Sequence, residues 1–139
     1  MECMANSDNV IRAGLTPKLR DVPNLISGLT YTASPVSKHT VEPKGFSSSS
    51  STTLYDPPVP EFSVVQTILP GKNGQNLENH REVDGPSLAI VTEGSGVVTW
   101  GNLGKLQLGR GDVFFIGAGT GIELKCDEKL TLFRAFVEA

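Results

Sequence analysis

From Phe62 to Val137 the chain keeps returning to one theme: a short run rich in β-branched and aromatic residues, closed by a glycine-bearing turn. The runs are Phe62–Ile68, Ser87–Glu93, Val97–Trp100, Lys105–Leu108, Val113–Ile116, Gly121–Lys125 and Leu130–Val137. Val, Ile, Thr and Phe fit a pleated, half-buried surface, and glycine supplies the backbone freedom a tight turn needs. About eight short strands at such regular spacing predict a sandwich or jelly roll. The 15 glycines and 9 prolines among 139 residues also favour a turn-rich β body over a helical bundle. Pro70–Gly74, Gly101–Gly104 and Gly109–Asp112 are predicted turns, and Glu93-Gly94-Ser95-Gly96 a hairpin.

The first 56 residues lack that rhythm. Residues 1–31 read as a polar loop followed by a short helix. Thr16-Pro17-Lys18 has the residues to open a helical turn, and Asp21–Leu29 is the better helix, with Asp21 as cap, Pro23 in the first turn and Gly28 as stop. Residues 32–56 are poor in large apolar side chains and carry five consecutive serines, Ser47 to Ser51. Such a composition buries too little surface to offset its ordering entropy, so a flexible linker is expected. The prolines of Tyr55-Asp56-Pro57-Pro58-Val59-Pro60 favour an extended entry into the β region at 57–139.

Charge and composition exclude several classes. The net charge of −3 comes without a basic patch, which argues against nucleic acid. No apolar run approaches the ~20 residues that span a bilayer, and Met1 is followed by no signal-peptide pattern. Cys3 and Cys126 form no framework or CxxC pair, which suits a reduced, cytoplasmic setting with free thiols. Glu123, Asp127 and Glu128 read as a solvated face, Trp100 as a core or edge aromatic, and Asp8 and Asn9 as backbone-shaping turn residues. His39 and His80 have no ligand spacing with another His, Cys or carboxylate, so both are expected at the surface.

Two stretches of the β region resemble the cupin jelly roll: Ser87-Leu88-Ala89-Ile90-Val91-Thr92-Glu93-Gly94-Ser95-Gly96 its first motif, and Gly111-Asp112-Val113-Phe114-Phe115-Ile116-Gly117-Ala118-Gly119-Thr120 its second. Metal-binding cupins carry two histidines and a carboxylate before the first hairpin and a histidine after the second motif. Here Asp84-Gly85-Pro86-Ser87 and Ile122 stand in those regions, so the resemblance implies a metal-free barrel.

A longer stretch, Glu2-Cys3-Met4-Ala5-x-Ser7-Asp8-Asn9-Val10-x-Arg12-Ala13-Gly14-Leu15-Thr16-Pro17-Lys18, resembles the signature segment of type I mannose-6-phosphate isomerases. Tyr55-Asp56-Pro57-Pro58-Val59-Pro60-Glu61-Phe62 resembles the same family just ahead of its C-terminal jelly roll. The resemblance implies a zinc-dependent aldose–ketose isomerase of the cytoplasm that interconverts mannose 6-phosphate and fructose 6-phosphate, feeding nucleotide-sugar synthesis and glycosylation. In that family a Gln, a Glu and two His upstream of the signature bind the zinc. None of them is present here, so the chain is expected to be the C-terminal portion of a larger enzyme, inactive without its N-terminal catalytic half.

Isomerisation through an enediol needs a base, a positive centre for the developing oxyanion and cations for the phosphate. By position in the signature, Arg12 matches the family's active-site arginine, while Glu2 and Lys18 match flanking substrate-binding residues. A guanidinium is permanently charged and forked, which suits anion work. The alternative is a non-catalytic cupin-like module with a structural or sugar-phosphate-binding role.

Overall fold

The structure is a computed structural model that describes residues 2–6, 10–71 and 76–138. These divide into two compact units, one from Glu2 to Thr40 and one from Val41 onward.

The first unit holds one regular helix, α1 (Val22–Gly28), and a 3-10 turn at Val36–His39. Asp21 caps α1 by accepting from the Asn24 backbone N–H at 3.2 Å, and Pro23 sits in the first turn, where its missing N–H costs nothing. Leu29, extended, ends the helix, while Gly28 remains its last residue. Thr16-Pro17-Lys18 does not open a helix. The Thr16 hydroxyl instead accepts from the Lys18 N–H at 3.3 Å, closing a local turn that competes with helix nucleation. No described residue of this unit is buried.

The second unit is a curled double sheet of nine strands: β1 (Lys44–Gly45), β2 (Thr52–Tyr55), β3 (Ser63–Leu69), β4 (Leu77–His80), β5 (Ser87–Trp100), β6 (Gly104–Gly109), β7 (Val113–Ile116), β8 (Ile122–Lys125) and β9 (Leu130–Phe136). All pairings are antiparallel. The order β1-β2-β3-β9-β5-β7 makes one sheet, and β4-β8-β5-β6 makes the other. Alternate residues point inward, as the strand period of two requires. Leu69, Val91, Leu130 and Leu132 from the first sheet meet Val98, Leu108, Ile122 and Leu124 from the second in one buried cluster. A smaller cluster gathers Phe46, Val65, Val83 and Phe136. The outcome is the expected mainly β, cupin-like jelly roll, preceded in sequence by a loop and a short helix.

The central strand departs from expectation. Glu93–Gly96 is not a hairpin; β5 runs unbroken through it and joins both sheets. A bulge between Val91 and Glu93 turns the strand from β7 and β9 toward β6 and β8. Gly94 has φ +77°, and a Cβ there would collide with the Lys129 carbonyl; one on Gly96 would meet the Lys125 carbonyl. The glycines therefore permit close backbone approach at a corner, not a chain reversal. The reversal comes later, at Gly101 with φ +55°.

The expected linker also differs over its second half. Residues 44–45 and 52–55 are strands, and Phe46 and Thr52 are buried. The Ser47 hydroxyl donates to Glu78 at 2.5 Å, and the Ser49 hydroxyl donates to the other oxygen of the same carboxylate. The Ser49 and Ser51 N–H groups donate to the Ser47 and Ser49 hydroxyls at 3.2 Å each. A buried carboxylate thus organises the serine run, and Glu78 lies 27 or more positions away in sequence, beyond the reach of a local composition argument.

Candidate functional site

The signature residues lie in the first unit, on irregular backbone. Glu2, Arg12 and Lys18 are all exposed. Gly14, with φ +70°, bends the chain between Arg12 and Lys18, and the Arg20 guanidinium donates to the Gly14 carbonyl at 3.3 Å across that bend. Among the described residues no ion pair joins Glu2, Arg12 or Lys18 to one another or to a further side chain, which leaves a carboxylate, a guanidinium and an ammonium presented to solvent. Ser7, Asp8 and Asn9 lie outside the described residues. Met4, Ile11, Leu15 and Leu19 of the same stretch are also exposed, so its apolar side chains gain no burial.

A second polar constellation, unanticipated from sequence, lies inside the jelly roll. His80 is only 2 % exposed on β4. Its Nε2 pairs with the Thr67 hydroxyl on β3 at 2.8 Å, and Phe46 meets its ring edge-on at 5.5 Å. Burial, and then the nearby Arg134 charge, push its pKa down to about 3, so the imidazole is neutral at physiological pH. The expectation of a surface His80 therefore fails. Its stretch Leu77-Glu78-Asn79-His80 carries no strand-like composition, and pairing with β8 turns Glu78 and His80 inward. His39, at the end of the 3-10 turn, is exposed as expected.

Arg134 is 0 % exposed on β9, flanked on its inward face by Leu132 and Phe136. Its Nε donates to the Ser87 hydroxyl at 3.0 Å, and its guanidinium carbon lies 5.9 Å from the Phe136 ring centre. Desolvation first and the Arg81 charge second lower its pKa to about 10, so it remains cationic at neutral pH. Only its position in an apolar strand marked it in the sequence.

Neither constellation resembles a zinc site. Among the described residues no three His, Cys, Asp or Glu side chains gather as a metal-holding group, and one imidazole nitrogen of His80 is already engaged by Thr67. A groove of about 200 Å³ in the jelly roll is lined by Val98, Trp100, Leu106, Phe114, Ile116 and Ile122 and has no titratable side chain. Trp100 is half exposed and packs against Gly104, an edge aromatic. Cys126 is buried with its thiol toward the Leu69 carbonyl, Cys3 is half-buried, and both are free. Glu123, Asp127 and Glu128 are exposed. No helix among the described residues is long and apolar enough to cross a membrane.

The chain is similar to known proteins along its whole length. Residues 52–102 match the family described as phosphomannose isomerase type I C-terminal. The chain is 53% identical to the mannose-6-phosphate isomerase of Cryptococcus neoformans over 140 aligned residues, covering 100% of the chain and 31% of that protein. It is 47% identical to the Saccharomyces cerevisiae mannose-6-phosphate isomerase, covering 99% of the chain and 32% of that protein. The chain therefore spans about a third of the length of these relatives. Among solved structures, it superposes on mannose 6-phosphate isomerase from Salmonella typhimurium bound to fructose 6-phosphate and zinc. The TM-score is 0.74 at 26% identity, over 98% of this chain and 32% of that one. The chain is thus similar to type I phosphomannose isomerases, through the C-terminal family model over residues 52–102 and through relatives that align along its whole length.

Proposed function

We propose that the chain serves as the C-terminal part of a cytoplasmic mannose-6-phosphate isomerase, contributing one edge of a site for mannose 6-phosphate and fructose 6-phosphate. The observation that carries this reading is that the alignment, 53% identical overall, runs through the polar N-terminal segment as well as the jelly roll. A scaffold retained alone would need only the latter. In the proposed site Arg12 holds the oxyanion that develops when the sugar carbonyl enolises, Lys18 adds positive charge for the phosphate or enediolate, and Glu2 orients a substrate hydroxyl. Two further Salmonella structures are of variants in which a glutamate and an arginine ten positions apart are each changed to alanine, the spacing of Glu2 and Arg12 here.

No His, Cys, Asp or Glu cluster among the described residues forms a metal-holding group, and on this reading the zinc ligands and the proton-transferring base belong to a separate catalytic portion. An apolar patch supports the presence of such a neighbour. Leu88 and Phe115 are adjacent partners on β5 and β7, and with Val113 they stand on the outer face of the sheet at 56, 67 and 62 % exposure. Apolar surface gathered in this way marks an interaction site.

The test is a chimera in which this chain replaces the aligned third of the Cryptococcus enzyme. The purified chimera, loaded with zinc, is expected to interconvert the two sugar phosphates in a coupled assay, and Arg12→Ala to lower kcat by about 10²–10³-fold, the usual loss for one oxyanion donor. A folded, zinc-loaded chimera without turnover would overturn the proposal, as would full activity in Arg12→Ala. Robust turnover by the 139-residue chain alone would overturn the assignment of base and zinc ligands to another portion.

A further inference from the structure

The jelly roll interior contains a buried cation, Arg134, that no described carboxylate pairs with. We infer that Arg134 is the anchor of a buried site for one small monovalent anion, of halide size, enclosed between the two apolar clusters of the core.

The position follows from register. On β9 the inward residues are Leu130, Leu132, Arg134 and Phe136; the first two belong to the larger apolar cluster and the last to the smaller. Arg134 pairs with Val65 on β3 and Ala89 on β5. Thr67, Ser87 and His80 share this interior, each 3 % exposed or less. The result is a polar layer sandwiched by hydrophobic ones, in which the residues of β5 nearest Arg134 are the small Ser87 and Ala89.

The need for an anion follows from valence. Nε is satisfied by Ser87, but Nη1 and Nη2 have no hydrogen-bond partner, and both are fully buried. His80 Nδ1 is buried and unpartnered in the same interior. If the Thr67 hydroxyl donates to Nε2, the single hydrogen of the neutral ring sits on Nδ1, adding another donor. The charges nearby are already engaged. Arg81 pairs with Glu138 and lies over Phe46 at 5.0 Å, adding positive potential, while the Glu78 carboxylate keeps its charge, is bonded by the Ser47 and Ser49 hydroxyls and, among the described residues, makes no ion pair with Arg134. A water molecule would meet the hydrogen-bonding need and leave the charge. Native interiors pair a buried charge, and one uncompensated guanidinium calls for one negative charge. This sets the ligand as monovalent, and the near-complete enclosure sets it as small.

The test uses the full 139-residue chain. Its thermal midpoint is followed at fixed ionic strength while sodium gluconate is replaced by sodium bromide. A saturable rise of about 5 °C is expected with bromide, of the order that ligand linkage gives a domain of this size. Crystals grown with bromide are expected to show an anomalous peak within hydrogen-bond reach of Arg134 Nη1 or Nη2. Arg134→Met should abolish the bromide dependence, and Arg134→Lys should restore part of it. If Arg134→Met does not fold, the anomalous map of the unsubstituted chain decides alone. A water or a backbone carbonyl at those nitrogens in saturating bromide would overturn the inference. So would an anomalous peak confined to the surface, or a midpoint indifferent to the anion.

Discussion

The two units of this chain place their chemistry and their stability in opposite places. The unit from Glu2 to Thr40 carries Glu2, Arg12 and Lys18, the proposed site residues, yet none of its described side chains is buried, and Leu15 and Leu19 stand in solvent. The unit from Val41 onward encloses Leu69, Leu124, Leu130 and Leu132 completely and keeps its own polar groups inside. Burial of such a side chain contributes about 1.5–3 kcal/mol, so the second unit has a core to hold it and the first does not. Polar residues that must meet a substrate do not build a core, and a segment made of them relies on whatever packs against it. The candidate site residues thus sit on the part of the chain least able to fix its own geometry.

The largest effect that tests this contrast is at Leu132. Leu132→Ala should cost about 2–5 kcal/mol in urea unfolding of the chain, whereas Leu15→Ala should change stability by less than about 0.5 kcal/mol. A similar cost at both positions would show that the first unit is packed after all. Next comes the corner of β5. Gly94→Ala forces a Cβ into the Lys129 carbonyl at φ +77° and should cost about 1–3 kcal/mol, while Gly14→Ala, at φ +70° but with open space around it, should cost less.

The third test is pH. The folded His80 pKa, about 3, lies below its unfolded value near 6.5, so the unfolded chain binds the proton first as pH falls. The stability conferred by the neutral ring is complete above pH 6.5 and is lost progressively toward pH 3. As pH falls from 6.5 toward 5, the unfolding free energy from urea titrations should decline with a slope that approaches about 1.4 kcal/mol per pH unit, and His80→Gln should flatten that slope. The smallest effect is at α1. Asp21→Ala should leave the global unfolding free energy within about 0.5 kcal/mol while speeding amide exchange at Asn24, because a seven-residue helix without buried residues frays locally.

Much of the fold was legible from local chemistry. Val113–Ile116 forms β7 as expected, and Asp112 closes the preceding turn by accepting from the Gly109 N–H at 2.7 Å. Asp21 and Pro23 start α1 as their chemistry dictates. What was missed shares one cause: the partner that decides the outcome is far away in sequence. Ser47 and Ser49 are ordered by Glu78, Gly94 by the backbone of Lys129, and His80 by Thr67 and Phe46. Glycine in a strand looks like glycine in a turn until the neighbouring strand is in place.

The sequence alone determined the β class, most of the strand positions, and a family resemblance written in Glu2–Lys18 and Tyr55–Phe62. These depend on residue type and short spacing, which act through local propensity and period. Only the tertiary structure decided that β5 bends through both sheets, that a serine run is held by a carboxylate, and that Arg134 and His80 lie in the core. Sheet closure brings distant residues within hydrogen-bond reach and removes their water, and no local pattern encodes which polar residue will be enclosed.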